Sequence, residues 1–196
     1  PFNDLAALEA LAAQDSAAPT IAAVLLEPIQ GEAGIIVPPE GYFRRVKEII
    51  SAYGGLFIAD EVQTGFARTG RMFAIEHAGV TPDIMCVAKA LGNGQPISAF
   101  IASAKVADSY TKPGASTLGG NPVSSTAGLA VLNYIEEHRV AENAESRGRE
   151  LRKGLAEIQK RHPIIGDIRG LGLMTGAEFV HSDKSPAPEE LDMVLE

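Results

Sequence analysis

Apolar residues recur along this chain in two rhythms. Leu5, Leu8 and Leu11 follow Asp4 at helical spacing, and Asp4 suits an N-cap, so Asp4 to Gln14 reads as a short amphipathic helix. Ile21 to Leu26 is a continuous apolar run rich in branched side chains, as expected of a strand covered on both faces in a parallel sheet. Tyr42, Val46, Ile49, Ile50 and Tyr53 return to helical spacing after Pro38-Pro39, and Gly54-Gly55 supplies a stop. Leu56 to Ala59, Ile84 to Ala88 and Ala99 to Ala102 read as further strands. Asn121-Pro122 then looks like a cap and a first-turn proline for a long helix. A second helix spans roughly Ala141 to Lys160 and ends before Pro163. Leu171 to Val180 reads as one Gly-rich strand, 182–188 as a loop, and Pro188 to Glu196 as a last helix. The alternation of short strands with helices predicts an α/β fold.

Composition narrows the functions. With 17 Lys+Arg against 25 Asp+Glu, the formal charge is −8. That argues against nucleic acid or an anionic membrane as the main partner. No run approaches the roughly 18 apolar residues of a membrane span, and a secretory signal is not apparent. The single cysteine, Cys86, sits among apolar neighbours and reads as a packed thiol in a reducing compartment, so a cytoplasmic protein is expected. His77, His138, His162 and His181 are scattered without a ligand spacing, so no metal site is expected.

In an open parallel sheet, ligands bind beyond the carboxyl ends of the strands. Three predicted strands end there in functional groups: Glu27, Asp60-Glu61 and Lys89. Singly, each could be a solvated strand end or a turn-former. Together they bring carboxylates and an amine to one edge, each against a buried apolar run where an unpaired charge is costly. A lysine desolvated at such an edge can form a Schiff base, and an aldehyde cofactor would use it. Pyridoxal phosphate needs such a lysine, a carboxylate for its ring nitrogen and a site for its phosphate. Lys89 and Asp60 fit the first two. The stretch Ser116-Thr117-Leu118-Gly119-Gly120-Asn121-Pro122 offers hydroxyls and glycines at a helix N-terminus, although simple helix capping explains it equally well.

Four ordered motifs carry a resemblance. Leu26-Glu27-Pro28-Ile29-Gln30-Gly31-Glu32 comes first, then Ile58-Ala59-Asp60-Glu61-Val62-Gln63-Thr64-Gly65 with Arg68-Thr69-Gly70. Thr81-Pro82-Asp83-Ile84 with Ala88-Lys89-Ala90-Leu91-Gly92-Asn93-Gly94 follows, and Ser116-Thr117 with Gly119-Gly120-Asn121-Pro122 closes the set. In this order, over Phe2 to Val180, the sequence resembles the class III aminotransferases of the ornithine, 4-aminobutyrate and alanine-glyoxylate type. The resemblance implies a fold type I pyridoxal-phosphate-dependent transferase, with a mostly parallel sheet flanked by helices. It implies that 1–140 is part of a large cofactor-binding domain, and that 141–196 is a connecting helix and the start of a smaller C-terminal α+β domain.

By position, the resemblance makes Lys89 the lysine that binds pyridoxal phosphate covalently and Asp60 the partner of its ring nitrogen. Val62 would pack on the ring, Gln63 would bond its phenolic oxygen, and Glu27 would lie near Gln63. Glu32 matches a glutamate at the substrate entrance of the ornithine-type branch. Thr117 would reach the cofactor phosphate of a neighbouring subunit, which implies a homodimer with shared active sites. The activity implied is transfer of an amino group to a 2-oxo acid such as pyruvate, glyoxylate or 2-oxoglutarate. The donor would be an omega-amino acid or alanine-like. A decarboxylase or aminomutase of the same family would use the same lysine and aspartate.

The expected phosphate loop, ring-stacking aromatic and carboxylate-binding arginine are not found between Pro1 and Glu196, so the sequence reads as the middle of a longer enzyme that is inactive alone. Gly92-Asn93-Gly94 after the lysine is similar to the alanine-glyoxylate branch. One rival from another class is a P-loop NTPase, because Leu56 to Glu61 also suits a strand ending in a metal-binding Asp-Glu pair. That class needs a Gly-Lys-Ser/Thr element, and no Gly-Lys dipeptide occurs here. A dinucleotide-binding reading of Gly170 to Gly176 fails because the third glycine comes one place too late.

Overall fold

The computed structural model describes residues 3–14 and 21–195. Helix α1 (Leu5–Ala12) starts where expected, with the Asp4 carboxylate accepting the Ala7 N–H at 2.8 Å. Strand β1 (Ala23–Leu26) leads through a turn and Pro38-Pro39 to α2 (Tyr42–Ala52) and then β2 (Leu56–Asp60). Gly54, at φ 78°, ends α2 in the left-handed conformation expected of a C-terminal glycine, and the Gly55 N–H reaches back to the Ile50 carbonyl at 2.9 Å.

A short 3₁₀ helix, Ala74–Ala78, precedes β3 (Ile84–Val87), and a 3₁₀ turn, Lys89–Leu91, precedes β4 (Ala99–Ala102). The short helix α3 (Ala104–Ala107) follows. Next comes α4 (Pro122–Glu137), capped by Asn121 through the Ser124 N–H at 3.0 Å. Helix α5 (Val140–Gln159), strands β5 (Ile165–Leu171) and β6 (Met174–Phe179), and α6 (Pro188–Leu195) complete the chain.

The main sheet has the order β1-β2-β3-β4, parallel through the first three and antiparallel at β4. The mostly parallel sheet of an α/β fold is therefore present. Its core is where α2 crosses β2: Phe43, Val46, Ile50 and Phe57 are buried together with Ala59 and Ile75. Full burial of a side chain such as Phe57 is worth about 1.5–3 kcal/mol. A second cluster, Phe66, Val87, Leu91 and Ile135, joins the end of β3 to α4.

Two expectations change. The strand predicted from Ile21 is shorter, and one face of it is open within this chain, since Leu25 is 55% exposed. The single strand predicted over Leu171 to Val180 is the second arm of a hairpin, β5 and β6, which turns at Gly172 with φ 53°. Here the glycines make the turn that a periodicity reading ran through. The turn is clasped from both sides: Arg152 of α5 donates to the Gly172 carbonyl at 2.7 Å, and the Leu173 N–H donates to the Arg68 carbonyl at 3.0 Å. Gly148 of α5 makes room for it, because a Cβ there would overlap the Gly172 backbone.

Candidate active site

The parallel strands β1, β2 and β3 end on one edge. Leu26 pairs with Ala59 and Asp60 with Cys86, so Glu27, Asp60 and the Ala88-Lys89 step leave the sheet side by side. That convergence is the one expected from the strand ends.

Asp60 is half-buried. Its Oδ1 accepts the Val62 N–H at 3.0 Å, which bends the chain off the strand, while Oδ2 has no hydrogen-bond or ion-pair partner among the described residues. Burial, and then the neighbouring Asp60 charge, push the Cys86 thiol above its ordinary value. The thiol therefore stays protonated and inert, as a packed cysteine should.

Glu61, one residue on, is fully buried. Its carboxylate accepts the Thr64 hydroxyl, the Ala74 N–H at 3.0 Å and the Ile75 N–H at 2.7 Å, while its own N–H donates to the Cys86 carbonyl at 2.9 Å. Burial pushes the Glu61 carboxyl up, and the three donors pull it partly back. The result ties the turn carrying Val62 and Gln63 to the 3₁₀ helix at Ala74–Ala78. Sequence reading missed this role and weighed Glu61 only within an Asp-Glu pair. The available signal was a charged residue between a buried strand and Thr64.

Gln63 and Glu32 meet, with Gln63 Nε2 donating to Glu32 Oε1 at 3.1 Å. Gly31 lies beneath them, where a Cβ would be 2.6 Å from Gln63 Oε1 and would displace the end of that side chain. Glu27 holds that turn by accepting the Gly31 N–H at 2.9 Å. Glu27, Glu32, Gln63 and Asp60 therefore belong to one contiguous set of loops, with Val62 between Asp60 and Gln63.

Lys89 stands on the same edge in a left-handed conformation, φ 44°. Such strain in a non-glycine residue collects at functional sites and persists only where neighbours hold it. Here buried Leu91 anchors the turn, 3.6 Å from the position of a Cβ on Gly128 of α4. One expectation is corrected: Lys89 is exposed, so this chain alone does not desolvate it. The strand end delivers the lysine to the edge, but the described residues do not cover it.

Thr117 is exposed too, and no hydrogen bond or ion pair joins it to Lys89 or Asp60 among the described residues. Its neighbours are spent locally, with Ser116 Oγ accepting the Gly119 N–H at 2.9 Å and the Asn121 amide donating to the Leu118 carbonyl at 3.0 Å. Among the described residues, no group of three or more His, Cys, Asp or Glu side chains could hold a metal ion. No helix there is long and apolar enough to cross a membrane.

A sequence model of the family described as "Aminotransferase class-III" matches residues 3–193. The chain belongs to the class III aminotransferases. Among its relatives is a "Leucine/methionine racemase" of Thermococcus litoralis, 52% identical over 82% of this chain and 36% of the relative. An "Acetylornithine aminotransferase" of Thermosynechococcus vestitus is 44% identical over 100% of this chain and 48% of the relative. The solved ornithine aminotransferase of Toxoplasma gondii superimposes with a TM-score of 0.85 at 40% identity, over 93% of this chain and 42% of that one. That structure is described as having PLP at partial occupancy at its active site. The chain thus spans less than half the length of these relatives, and it carries the mostly parallel sheet expected of fold type I.

Proposed function

We propose that the full-length protein is a pyridoxal-phosphate-dependent transaminase, moving an amino group from an amino acid, omega-amino or alanine-like, to a 2-oxo acid. The observation that carries this reading is the shared edge of β2 and β3, which bears a strained, exposed Lys89 and an Asp60 with one carboxylate oxygen unengaged among the described residues. The residues fit the cofactor: an amine able to bind an aldehyde, a carboxylate able to face a ring nitrogen, and a Gln63 side chain seated closely over Gly31. When bound, pyridoxal phosphate supplies an aldehyde that binds amines and a ring that takes up electrons from the substrate carbon.

Lys89 Nζ would hold the cofactor, and its free amine would move the proton at the substrate carbon. A positioned base of this kind is worth about 10²–10⁴ in rate. Asp60 would keep the ring nitrogen protonated. Val62 would pack on the ring, Gln63 would donate to its phenolic oxygen, Glu27 keeps the Gly31 turn in place, and Glu32 would face the substrate. Thr117 would reach the phosphate across a homodimer interface. In support, Thr117 lies beside exposed Leu118 and Val123, the kind of apolar surface that marks a contact. We place the domain boundary between α4 and α5, near residue 140.

The test is borohydride reduction of the full-length protein with pyridoxal phosphate, followed by peptide mapping. An adduct on Lys89 is the expected result, and a folded protein without one refutes the reading. Because one relative at 52% identity is named a racemase, racemisation of leucine or methionine is the second reading. Inversion of a single enantiomer without a 2-oxo acid acceptor would establish it in place of transamination.

A further inference from the structure

The turn that carries Glu32 does not hold its own shape. Gly34 has φ 113° and Ile35 has φ 56°, and for a β-branched residue the left-handed region is a genuine outlier that survives only where the surroundings impose it. Local bonds supply part of that constraint. Gln30 and Ile36 exchange backbone bonds at 3.0 and 3.1 Å, and the N–H groups of Gly34 and Ile35 both donate to the Gly31 carbonyl.

The rest comes from the far end of the chain. Arg169 of β5 donates its Nε–H to the Gly34 carbonyl at 2.8 Å, across 135 positions of sequence. Ile35 seats against Gly176 of β6, where a Cβ would lie 3.1 Å from that of Ile35. Arg169 is itself fixed, with Nη1 donating to Asp167 Oδ2 at 2.8 Å and to Glu178 Oε2 at 2.6 Å and its side chain 22% exposed. A cross-strand ion pair on the hairpin would need only Nη1. The Nε–H bond is a separate contact, and its acceptor is the strained turn.

We propose that Arg169 is a positioning residue: through the Gly34 carbonyl it holds the turn that sets Glu32 against Gln63, and so makes selection of the amino donor depend on the C-terminal hairpin. This rests on the transaminase reading above, in which Glu32 faces the substrate. The guanidinium is needed for its shape. A lysine carries its donors at one point and cannot reach the Gly34 carbonyl and the Asp167 and Glu178 carboxylates together.

The experiment uses the full-length protein loaded with pyridoxal phosphate, as wild type, Arg169→Ala, Arg169→Lys, Glu32→Gln and the Arg169→Lys/Glu32→Gln double variant. Donor KM is measured with whichever of ornithine, acetylornithine and alanine the wild type turns over. Amide hydrogen exchange is followed in the peptide spanning 30–36. Arg169→Lys keeps the charge beside both hairpin carboxylates and guards against an Arg169→Ala protein that fails to fold.

In both variants the donor KM should rise about tenfold with cofactor load unchanged, the scale of one lost charge-assisted hydrogen bond. Exchange in 30–36 should quicken, and in the Glu32→Gln background Arg169→Lys should add little, because both act through one group. An unchanged KM, unchanged exchange, or an effect of equal size in the two backgrounds would overturn the proposal. A wild-type protein that takes no cofactor onto Lys89 refutes the enzymatic reading instead, and exchange in 30–36 then decides alone whether Arg169 holds the turn.

Discussion

The edge built by β1, β2 and β3 and the flank built by β4 and the segment leading to α4 are finished differently. On the edge, Phe57, Val46 and Ile50 are buried, and Glu61 meets a donor at each of its contacts. On the flank, Phe100 is 74% exposed, Tyr110 69% and Leu118 76%. The first region closes around β2, leaving Leu25 of β1 and Lys89 exposed. The second presents apolar surface of the kind that marks an interaction, and Thr117 sits within it. Asp60, Gln63 and Glu32 are thus positioned by contacts inside this chain, whereas the described residues leave Thr117 and Lys89 exposed.

Five substitutions sharpen or break this contrast. The largest effect is expected at the edge itself: in the full-length protein Lys89→Ala should lower turnover by about 10⁴, the upper range for a positioned base, and steady-state rates near wild type would remove Lys89 from the site. Next is packing. Phe57→Ala should cost about 3–5 kcal/mol in denaturant unfolding, while Phe100→Ala, if nothing covers it, should stay within about 0.5 kcal/mol. A large loss at Phe100 in the full-length protein would instead show that the flank is covered there.

Glu61→Gln comes third. An amide nitrogen in place of a carboxylate oxygen meets backbone N–H donors, and one of them is left unpaired in the interior at a cost of about 1–3 kcal/mol. Because this would loosen the turn at Val62 and Gln63, cofactor binding measured by visible absorbance should weaken with it. An unchanged midpoint and unchanged absorbance would make Glu61 dispensable.

The smallest effect concerns pH. Burial raises the Asp83 carboxyl, but the hydrogen bond from Lys47, the Phe57 N–H at 2.8 Å and the Lys47 charge outweigh it, and the net position is below the ordinary 3.8. A carboxyl that is more acidic in the folded state contributes stability above its unfolded value and loses it as pH falls through its folded one. Thermal stability should therefore fall below about pH 4 in the wild type and less steeply in Asp83→Asn. Parallel curves would show that Asp83 contributes nothing there.

Much of the fold was legible because its signals are short-range. Helical spacing placed α1 and α2, Asn121-Pro122 marked the start of α4, and apolar runs ending in Asp60 and near Lys89 located the edge. The hairpin turn at Gly172 was missed because Leu171 to Val180 has the composition of a strand on either side of a glycine. Its position is set by Arg152 and the Arg68 carbonyl, which lie in other elements.

By itself, the sequence determined the order of the main elements from α1 to α5, the family and the identities of the edge residues, since strand ends and motif spacing are properties of neighbouring positions. Only the tertiary structure decided that Glu61 is buried with a full set of donors, that Lys89 is exposed and left-handed, and that Arg169 reaches the Gly34 carbonyl. The reason is physical. Burial and hydrogen bonding depend on which surfaces meet in space, and segments as far apart in the chain as Gly34 and Arg169 carry no local pattern that announces their contact.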